Sequence, residues 1–524
     1  MLLSQLFDEQ TEVRSGSASE ESCKSGGAVE GSKNGSAGEE SCKNGSAGAA
    51  DWPATEITGL AMDSRKVEEG NIFFCLKGTE TDGHRFAGMA AEKGAAVIVH
   101  SDPVEESEGV LYIRSDDVMG DLNRCCDLFN GGPSGRMTLF GVTGTNGKST
   151  TASIIGSVYS AYKPCGYMGT IAVRYGNYSR VPTLTTPDQI EVHADLAEMY
   201  EHGMQAAAME VSSHGLAMSR ADSVDFDCVI FTNLTWDHLD FHKTMENYFE
   251  AKKRLFRIVK PSAVAVLNAD DEASIEGLKE CCACRIVTYG TGKLGPADYM
   301  AKDLRLTTKG TQFTLVCPDG EFPVVTNLVA EYNIYNLVAA IAAMHETGMP
   351  LEQMIPLLAD IPQVDGRMEI IDEGQDFGCI VDYAHTPDGF DKVFDYADAI
   401  TAGGGKVFAV FGSAGKRDKK KRPVLGRIAG RHCAKVFVTE EDPRTENAEE
   451  IGQVILSGVR ESGCEGEWIP DRIEAIKAAV RTAEPGDLVL ILGKGDETYM
   501  YYADGRAPFI GDNAAAREAL KEVL

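Results

Sequence analysis

The stretch that decides the fold is residues 137–162, MTLFGVTGTNGKSTTASIIGSVYSAY. Its first four residues, MTLF, predict a short buried strand, and apolar residues recur at helical spacing after residue 150. The glycine-rich residues 141–147 therefore lie in a turn that leads from a strand into a helix. Free N–H groups at a helix start bind phosphate, a lysine such as Lys148 neutralises it, and a hydroxyl such as that of Ser149 reaches Mg²⁺. The stretch predicts a nucleoside triphosphate site.

The spacing of this loop departs from the strict P-loop at one position, because Val142 stands where that pattern has a glycine. The alternative is a glycine-rich turn with an exposed lysine and no ligand. The order of strand, glycines, lysine, serine and helix favours phosphate binding.

Composition excludes several classes of protein. The chain has 524 residues and a formal net charge of −30, which argues against a nucleic-acid partner because phosphate backbones are bound by Lys and Arg. No apolar run is long enough to span a membrane, and the start MLLSQLFDEQ is too short and acidic for a secretory signal. The fourteen cysteines are scattered, which predicts reduced thiols. We expect a cytoplasmic protein that acts on small molecules, without nucleic acid or membrane, as a monomer.

The chain predicts an α/β fold with three domains, at residues 1–136, 137–363 and 364–524. Residues 15–50 are almost wholly Gly, Ser, Ala, Glu, Lys and Asn, and they contain the imperfect repeat EESCKSGGA and EESCKNGSAG. This composition predicts a disordered insertion inside the first domain.

Apolar runs that end in polar loops organise the second and third domains. Such runs predict buried parallel strands, and ligands gather at the carboxyl ends of such strands. In the second domain this edge would carry Lys148, Glu210, Asn233 and Asp270. The third domain repeats the scheme with four strands, so we expect a cleft between the two functional edges.

Several candidate residues also have an alternative interpretation that involves no ligand. Glu210 and Ser149 suit Mg²⁺, whereas His238 and His242, four residues apart, suggest zinc or a polar loop that caps a helix. Lys252 lies in the helical pattern YFEAKKRLF, where the pattern alone favours a solvated basic face.

Two further motifs have the same ambiguity. EYNIYN opens a predicted helix with Asn333 and Asn336, and VDYAHTPDG places Asp382 and His385 after a strand. All four residues could serve only as turn and cap residues.

Eleven motifs occur in one order along the chain: TGTNGKST, LTTPD, MEVSSHGL, NLTWDHLDFH, AKKRLF, EYNIYN, DGRME, VDYAHTPDG, GKRDKKKRP, EDPRTE and GKGDE. This series resembles the Mur ligases, and is most similar to the members that add the third amino acid of the peptidoglycan stem peptide. DSRKVEEGNIFFCLKG resembles their UDP-binding domain, so the resemblance covers nearly everything except residues 15–50.

The resemblance implies a small UDP-binding domain, a central P-loop ATPase domain and a Rossmann-like third domain that binds the amino acid. It also implies roles for individual residues. For ATP these are Thr143, Gly144, Thr145, Asn146, Gly147, Lys148, Ser149, Asn336, Arg367, Asp382 and His385. For the metal they are Ser149, Glu210, His238 and Lys252, the last carbamylated to N6-carboxylysine. For the UDP-muramoyl dipeptide they are Ser64, Thr185, Thr186, Ser212 and Arg220. For the amino acid they are Arg417, Glu441, Asp442, Pro443, Arg444, Gly493 and Glu497.

The implied reaction is ATP-dependent amide formation with Mg²⁺. Lys148, Glu210, His238 and Lys252 would serve catalysis, and the substrate carboxylate would pass through an acyl phosphate. Arg444 favours meso-diaminopimelate, because a guanidinium binds its distal carboxylate.

The chain departs from the family pattern in the amino-acid pocket. Asp442 stands where diaminopimelate-adding members have Asn, and a second anion there would repel the same carboxylate. Leu184 and Met218 stand where amides usually contact the muramoyl substrate. The departures leave open a paralogue that joins a different amino acid or carboxylate. A nucleotide-binding regulator without catalysis is a third alternative.

Overall fold

The computed structural model describes residues 1–8, 11–16, 54–78, 81–307 and 310–524. The chain divides into two compact units. The first contains Met1–Pro133, Asp188–Ala197 and Asp222–Val224, and the second contains the remainder. Of the predicted disordered insertion, residues 17–50 lie outside the described part. The prediction of disorder is wrong for Ser15, the first residue of that insertion, because Ser15 is the last residue of a strand.

The first unit is built on a five-stranded sheet in the order β1-β5-β4-β3-β2. Its strands are β1 (Val13–Ser15), β2 (Gly59–Ala61), β3 (Asn71–Phe74), β4 (Val97–His100) and β5 (Leu111–Arg114). Strand β1 is antiparallel to β5 and the other pairs are parallel. Its helices are α1 (Ala87–Glu92) and α2 (Val118–Phe129). The runs NIFFCLK, AAVIVH and GVLYIR contain β3, β4 and β5, whose apolar side chains are mostly buried.

The second unit contains an eleven-stranded sheet in the order β16-β15-β14-β13-β12-β11-β6-β10-β7-β8-β9. Its strands are β6 (Thr138–Thr143), β7 (Cys165–Met168), β8 (Val173–Tyr175), β9 (Tyr178–Arg180), β10 (Ala206–Glu210), β11 (Cys228–Phe231), β12 (Val264–Asn268), β13 (Arg285–Gly290), β14 (Tyr299–Thr307), β15 (Gly310–Cys317) and β16 (Gly320–Thr326). The central strands are parallel and fully buried, as their continuous apolar sequences predict.

Helices cover this sheet and place its polar loops. They are α3 (Lys148–Val158), α5 (Ser213–Ala217), α6 (Leu239–His242), α7 (Met245–Ile258), α8 (Ile275–Cys281), α9 (Glu331–Glu346) and α10 (Leu351–Met354). The residues of helix α4 (Gln189–Glu201) up to Ala197 belong to the first unit and the rest to the second. The predicted strand–loop–helix at residues 137–162 is confirmed as β6 followed by α3. Helix α9 is buried over most of its length, because its small and apolar residues pack in the same core as the sheet.

A second sheet in this unit has six strands in the order β17-β18-β22-β19-β20-β21. Its strands are β17 (Glu369–Ile370), β18 (Gly378–Asp382), β19 (Val407–Phe411), β20 (Lys435–Val438), β21 (Glu465–Trp468) and β22 (Leu488–Leu492). Its helices are α11 (Pro387–Thr401), α12 (Lys421–His432), α13 (Ala448–Glu461), α14 (Arg472–Thr482) and α15 (Asp512–Val523). A hairpin of β23 (Tyr499–Tyr502) and β24 (Gly505–Pro508) follows β22. The four predicted strands are β18, β19, β20 and β22, which run parallel.

Two further properties bear on the expectations from sequence. The twelve cysteines in the described ranges are free thiols, as predicted. Across the same ranges, every helix is too short or too polar to span a lipid bilayer.

Candidate active site

One cavity of about 680 Å³ lies in the second unit, lined by loops that follow the parallel strands of both sheets. In sequence order, the first residue that lines it is Thr145, in the loop after β6, and the last is Arg506, on β24. Parallel strands deliver their following loops to one edge, so the topology gathers polar side chains from both sheets here. The expected cleft between the two functional edges is therefore present.

The loop after β6 has the backbone of a phosphate site. Gly147 precedes α3 with φ of 87°, a left-handed conformation that favours glycine. Lys148 Nζ donates to the carbonyl oxygens of Thr145 at 2.8 Å and Gly144 at 3.2 Å. Burial lowers the pKa of Lys148. A phosphate would replace these neutral partners with a charged one, which stabilises the ammonium group.

Glu210, at the end of β10, is fully buried beside the start of α3. Its Oε2 accepts from Ser149 Oγ at 2.9 Å, and its Oε1 accepts from Tyr167 Oη at 2.6 Å and Thr170 N at 2.8 Å. Several donors thus fix the carboxylate beside the serine hydroxyl. Two oxygen ligands of the type that Mg²⁺ prefers lie together, as the sequence predicted.

Lys252 projects from α7 into the same region and is only 1% exposed. Pattern alone favoured a solvated position, and that interpretation is wrong for this residue. Its Nζ donates to Gly144 O at 2.6 Å and lies 4.4 Å from the centroid of the Tyr248 ring. Burial, and after it the nearby ammonium of Lys148, lower the pKa of Lys252 well below its usual range. The amine is therefore held in its neutral, nucleophilic form more readily than an exposed lysine.

The histidines after β11 form an edge-to-face cluster. His238 precedes α6 in a left-handed conformation, and its ring centroid lies 6.1 Å from that of Tyr248, which also contacts Lys252. His242 Nε2 is 3.0 Å from Ser213 Oγ. Burial lowers the pKa of both His238 and His242 to about 4, so both imidazoles are neutral at pH 7.

The predicted nucleotide residues of the third domain also face the cavity. Asp382 accepts from Met368 N and Ala384 N, each at 2.7 Å, and burial raises its pKa. The guanidinium carbon of Arg367 lies 4.2 Å from the centroid of the Tyr383 ring.

Two more predicted nucleotide residues complete this side. His385 Nε2 lies 4.0 Å from Asp237, and burial lowers the pKa of His385 to about 4. Asn336 lies at the cavity on α9, where its Nδ2 donates to Asn333 at 3.2 Å.

The predicted muramoyl-dipeptide residues of the central domain form a hydrogen-bonded group. Thr186 Oγ1 donates to Glu210 O at 2.9 Å and accepts from Ser212 N at 2.9 Å. Arg220 Nη1 donates to Thr186 O at 2.9 Å, and Thr185 Oγ1 accepts from Thr170 at 3.1 Å. These residues border the metal-ligand candidates through the hydrogen bond between Thr186 and Glu210.

The predicted amino-acid residues follow β20 and β22. Asp442 Oδ1 accepts from Lys494 Nζ at 2.9 Å and from Tyr501 N at 3.0 Å. Lys494 also donates to Glu497 Oε2 at 2.6 Å. Burial alone would lower the pKa of Lys494, but the carboxylates of Glu497 and Asp442 raise it. Asp442 is therefore ion-paired inside the protein, which reduces the repulsion expected from sequence.

Glu441, Gly493 and Arg417 complete that set. Burial raises the pKa of Glu441, and its Oε2 has no hydrogen-bond partner within the described ranges. Gly493 has φ of 108° and donates to Asp382 O at 3.0 Å. Arg417 Nη1 lies 3.4 Å from Asp240 Oδ2, so it bridges the two sheets.

Some predicted residues do not line the cavity. Thr143, Gly144 and Pro443 lie behind their neighbours in the lining loops. Ser64 belongs to the first unit, where its Oγ donates to Met89 Sδ at 3.4 Å.

Sequence reasoning missed several residues that shape the site. Lys421 lines the cavity and donates to His385 O at 2.8 Å, although it stands in a basic run typical of a solvated surface. Tyr501 and Arg506 lie on a hairpin without a recognisable motif. Asp237 also lines the cavity and was not predicted, although its place next to the candidate His238 could have indicated it.

Comparisons with known proteins identify the family of the chain. Residues 56–123 match the Mur ligase family catalytic domain, residues 142–344 the Mur ligase middle domain, and residues 366–495 the Mur ligase glutamate ligase domain. The UDP-N-acetylmuramoyl-L-alanyl-D-glutamate--2,6-diaminopimelate ligase of Geobacillus kaustophilus is 40% identical over 474 residues, covering 89% of this chain and 95% of the relative. The Bacillus cereus ligase of the same name is 39% identical over 472 residues, with 89% and 94% covered.

A solved structure of a UDP-N-acetylmuramoyl-L-alanyl-D-glutamate--2,6-diaminopimelate ligase is also similar. It has a TM-score of 0.66 and 31% sequence identity, and the match covers 91% of this chain and 97% of that chain. The predicted three-domain α/β architecture is therefore confirmed. The motifs, the domain matches and the full-length relatives lead to one assignment: the chain belongs to the Mur ligase family.

Proposed function

We propose that this chain is an ATP-dependent ligase that joins meso-diaminopimelate to UDP-N-acetylmuramoyl-L-alanyl-D-glutamate in peptidoglycan synthesis. Relatives about 40% identical are named for the corresponding ligase activity with 2,6-diaminopimelate. The observation that carries the proposal is a single cavity lined by Lys148, Glu210 and Lys252 on one side and by Arg444 and Glu497 on another. Phosphate chemistry and amino-acid recognition face the same space, as ligation requires.

ATP binds in this proposal with its phosphates at the start of α3. The backbone N–H groups there and the ammonium group of Lys148 offset the phosphate charge. Arg367 and His385 approach from the other sheet of the unit. Arg367 can donate to a transferring phosphoryl group, whereas the neutral imidazole of His385 contributes a hydrogen bond without a charge.

The donor set fits Mg²⁺. Ser149 and Glu210 supply oxygen ligands 2.9 Å apart, and the neutral imidazole of His238 lies in the same cluster. Ser149, Glu210, His238 and the modified Lys252 would hold the metal, which when bound offsets charge on the phosphoryl group.

Lys252 is proposed to carry a carbamate. Its buried amine has a lowered pKa and so is available as a neutral nucleophile. The nitrogen forms a bond to the carbon of CO₂ and releases one proton, which leaves a carboxylate on a long side chain. That carboxylate replaces a buried amine with an oxygen donor for the metal.

The reaction needs no protein nucleophile. A side-chain carboxylate oxygen of the substrate D-glutamate attacks the γ-phosphorus of ATP, the bond to ADP breaks, and an acyl phosphate forms. The amine of the incoming amino acid attacks the acyl carbon, loses a proton and expels inorganic phosphate as the amide forms. Glu497 is positioned to accept hydrogen bonds from an amino group of that substrate.

Water must be excluded, because it would hydrolyse the acyl phosphate. Two hydrogen bonds already join the two sheets of the unit across the cavity. Asn146 Nδ2 donates to Asp388 Oδ2 at 2.8 Å, and Arg417 Nη1 donates to Asp240 Oδ2 at 3.4 Å. These contacts support closure over the bound substrates.

The proposal extends to a cytoplasmic monomer that acts on small molecules and binds neither membrane nor nucleic acid. The strongly negative net charge supports the last point.

One assay tests the proposed function. The purified protein is incubated with ATP, Mg²⁺, UDP-N-acetylmuramoyl-L-alanyl-D-glutamate and each of a panel of amino acids, and phosphate release and product mass are followed. Ligation of meso-diaminopimelate supports the proposal. The second candidate is a paralogue with another amino acid or carboxylate, favoured by Asp442 and by the exposed Leu184 at the cavity. Turnover only with such a substrate would establish it, and no turnover with any substrate would leave a non-catalytic nucleotide-binding regulator.

A further inference from the structure

The hairpin of β23 and β24 brings a second arginine to the amino-acid end of the cavity. Arg506 Nε donates to Tyr501 Oη at 2.7 Å, and its guanidinium carbon lies 4.3 Å from the centroid of the Tyr499 ring. Arg506 lines the cavity. Within the described ranges its two terminal nitrogens make no hydrogen bond. The side chain is thus oriented by two aromatic rings and retains free donors.

Arg444 approaches the same tyrosine. Its guanidinium carbon lies 5.3 Å from the Tyr501 ring centroid, and that of Arg506 lies 4.9 Å from it. Arg444 N donates to Tyr501 O at 2.9 Å, which ties the loop after β20 to the hairpin. Arg444 Nε is buried and has no hydrogen-bond partner in the described part of the chain. Two guanidinium groups with unused donors therefore flank one ring.

The carboxylates nearby do not use up this positive charge. Asp442 is paired with Lys494 and with the backbone of Tyr501, and Glu497 is bound to Lys494 as well. Lys494 is fully buried and donates to both carboxylates, while the charge of Glu497 also acts on Arg506. The Asp at position 442 thus serves as a structural anion, and Arg444 and Arg506 add positive charge to the cavity lining beside it.

We propose that Arg506 acts with Arg444 to bind the distal carboxylate of the incoming amino acid and so determines specificity for a diacidic substrate. A carboxylate has two oxygens and accepts hydrogen bonds from two guanidinium groups at once. An amino acid without a distal carboxylate would leave both cations without a partner. This inference rests on the proposed ligase function and adds a residue that selects its amino acid.

The test compares the parent protein with Arg506→Ala and Arg506→Lys. Initial rates are measured against meso-diaminopimelate and, separately, against L-lysine, which has the same chain length but lacks the distal carboxylate. Removing one hydrogen-bonded charge pair should raise KM for diaminopimelate about tenfold in Arg506→Ala. We expect kcat to change less than about twofold, because the group acts in binding. Arg506→Lys should recover part of the affinity, and rates with L-lysine should not fall in either variant.

The matched control is Arg427→Ala. Arg427 is exposed on α12, pairs with Glu461 at 2.9 Å and is not part of the cavity lining. This control should match the parent. An unchanged KM for diaminopimelate in Arg506→Ala would overturn the inference. Equal losses of rate with both amino acids, together with a lower melting temperature, would also overturn it, because they would show a structural role for Arg506.

Failure of the proposed function would look different. The parent itself would then fail to ligate diaminopimelate. If it preferred an amino acid without a distal anion, the role of Arg506 would be rejected as well. If Arg506→Ala fails to fold, the KM of Arg506→Lys and of Tyr501→Phe, which removes the acceptor for Arg506 Nε, decides the question.

Discussion

Glu446 joins two loops that carry cavity residues, and its replacement by Gln should destabilise the third domain. Its Oε2 accepts from Arg422 Nη1 at 3.0 Å and from Lys419 Nζ at 2.9 Å. The loop between β19 and α12 carries Arg417, and the loop after β20 carries Arg444. Because Arg422 is 4% exposed, a neutral amide at position 446 would leave a buried guanidinium without its counter-charge.

The pKa of Glu446 sets the expected magnitude. Hydrogen bonds from Arg422 and from the backbone of Lys416 lower this pKa from 4.5 to about 2. That difference corresponds to about 3 kcal/mol of unfolding free energy at pH 7, as an upper estimate. The folded pKa is depressed, so the stabilisation is fully present above pH 4.5 and is lost as pH falls toward 2. By pH 3 the contribution should have fallen to about 1.4 kcal/mol.

The assay is urea unfolding of the parent and Glu446→Gln at pH 7, pH 5 and pH 3. Glu461→Gln is the control, since Glu461 is exposed and pairs with exposed Arg427, a contact worth about 1 kcal/mol or less. The expected result is a large difference for Glu446→Gln at pH 7 that falls by more than half at pH 3. Equal effects of the two substitutions at pH 7, or a Glu446→Gln difference independent of pH, would refute the reasoning.

Three further predictions concern charged side chains of the second unit. Lys148→Ala should lower ATP-dependent phosphate release at least about 100-fold, because a positioned charge on the phosphates is lost, whereas exposed Lys302→Ala on β14 should match the parent in the same assay. Lys252→Ala should also inactivate the protein, and added short-chain carboxylic acids should partly restore phosphate release; undiminished activity of this variant would exclude the carbamate. Asp512→Asn should lower the unfolding free energy by about 3–5 kcal/mol in thermal unfolding, because Arg472, bonded to Asp512 at 2.6 and 2.7 Å, would become an unpaired buried cation. A loss of less than about 1 kcal/mol of unfolding free energy in Asp512→Asn would contradict this last prediction.

Most of the parallel strands could be predicted because each has a local signal. β10, β11 and β12 are continuous apolar runs followed by polar loops, and such runs are buried on both faces of a parallel sheet. The outer antiparallel strands were not predicted. Strands β14 to β16 alternate buried and exposed residues at a sheet edge, so their pattern is weak without knowledge of their neighbours.

The candidate site shows the same division. Lys148, Ser149 and Glu210 stand next to glycines or strand ends, and their types and spacing indicate phosphate and metal chemistry. Burial of Lys252 could not be deduced from a helix whose neighbouring positions are basic. That side chain is enclosed because α7 packs against the phosphate loop, and this packing depends on residues more than 100 positions away.

The amino-acid pocket marks the limit of the sequence. By itself, the sequence determined a three-domain α/β chain, its triphosphate loop and its family, because local apolar periodicity and short motifs carry that information. It also raised a conflict, an Asp at position 442 beside Arg444. Only the tertiary structure decided that Lys494 pairs with Asp442 and that β24 brings Arg506 to the cavity. Charge compensation depends on distances of about 3 Å between residues remote in sequence, and those distances exist only in the folded chain.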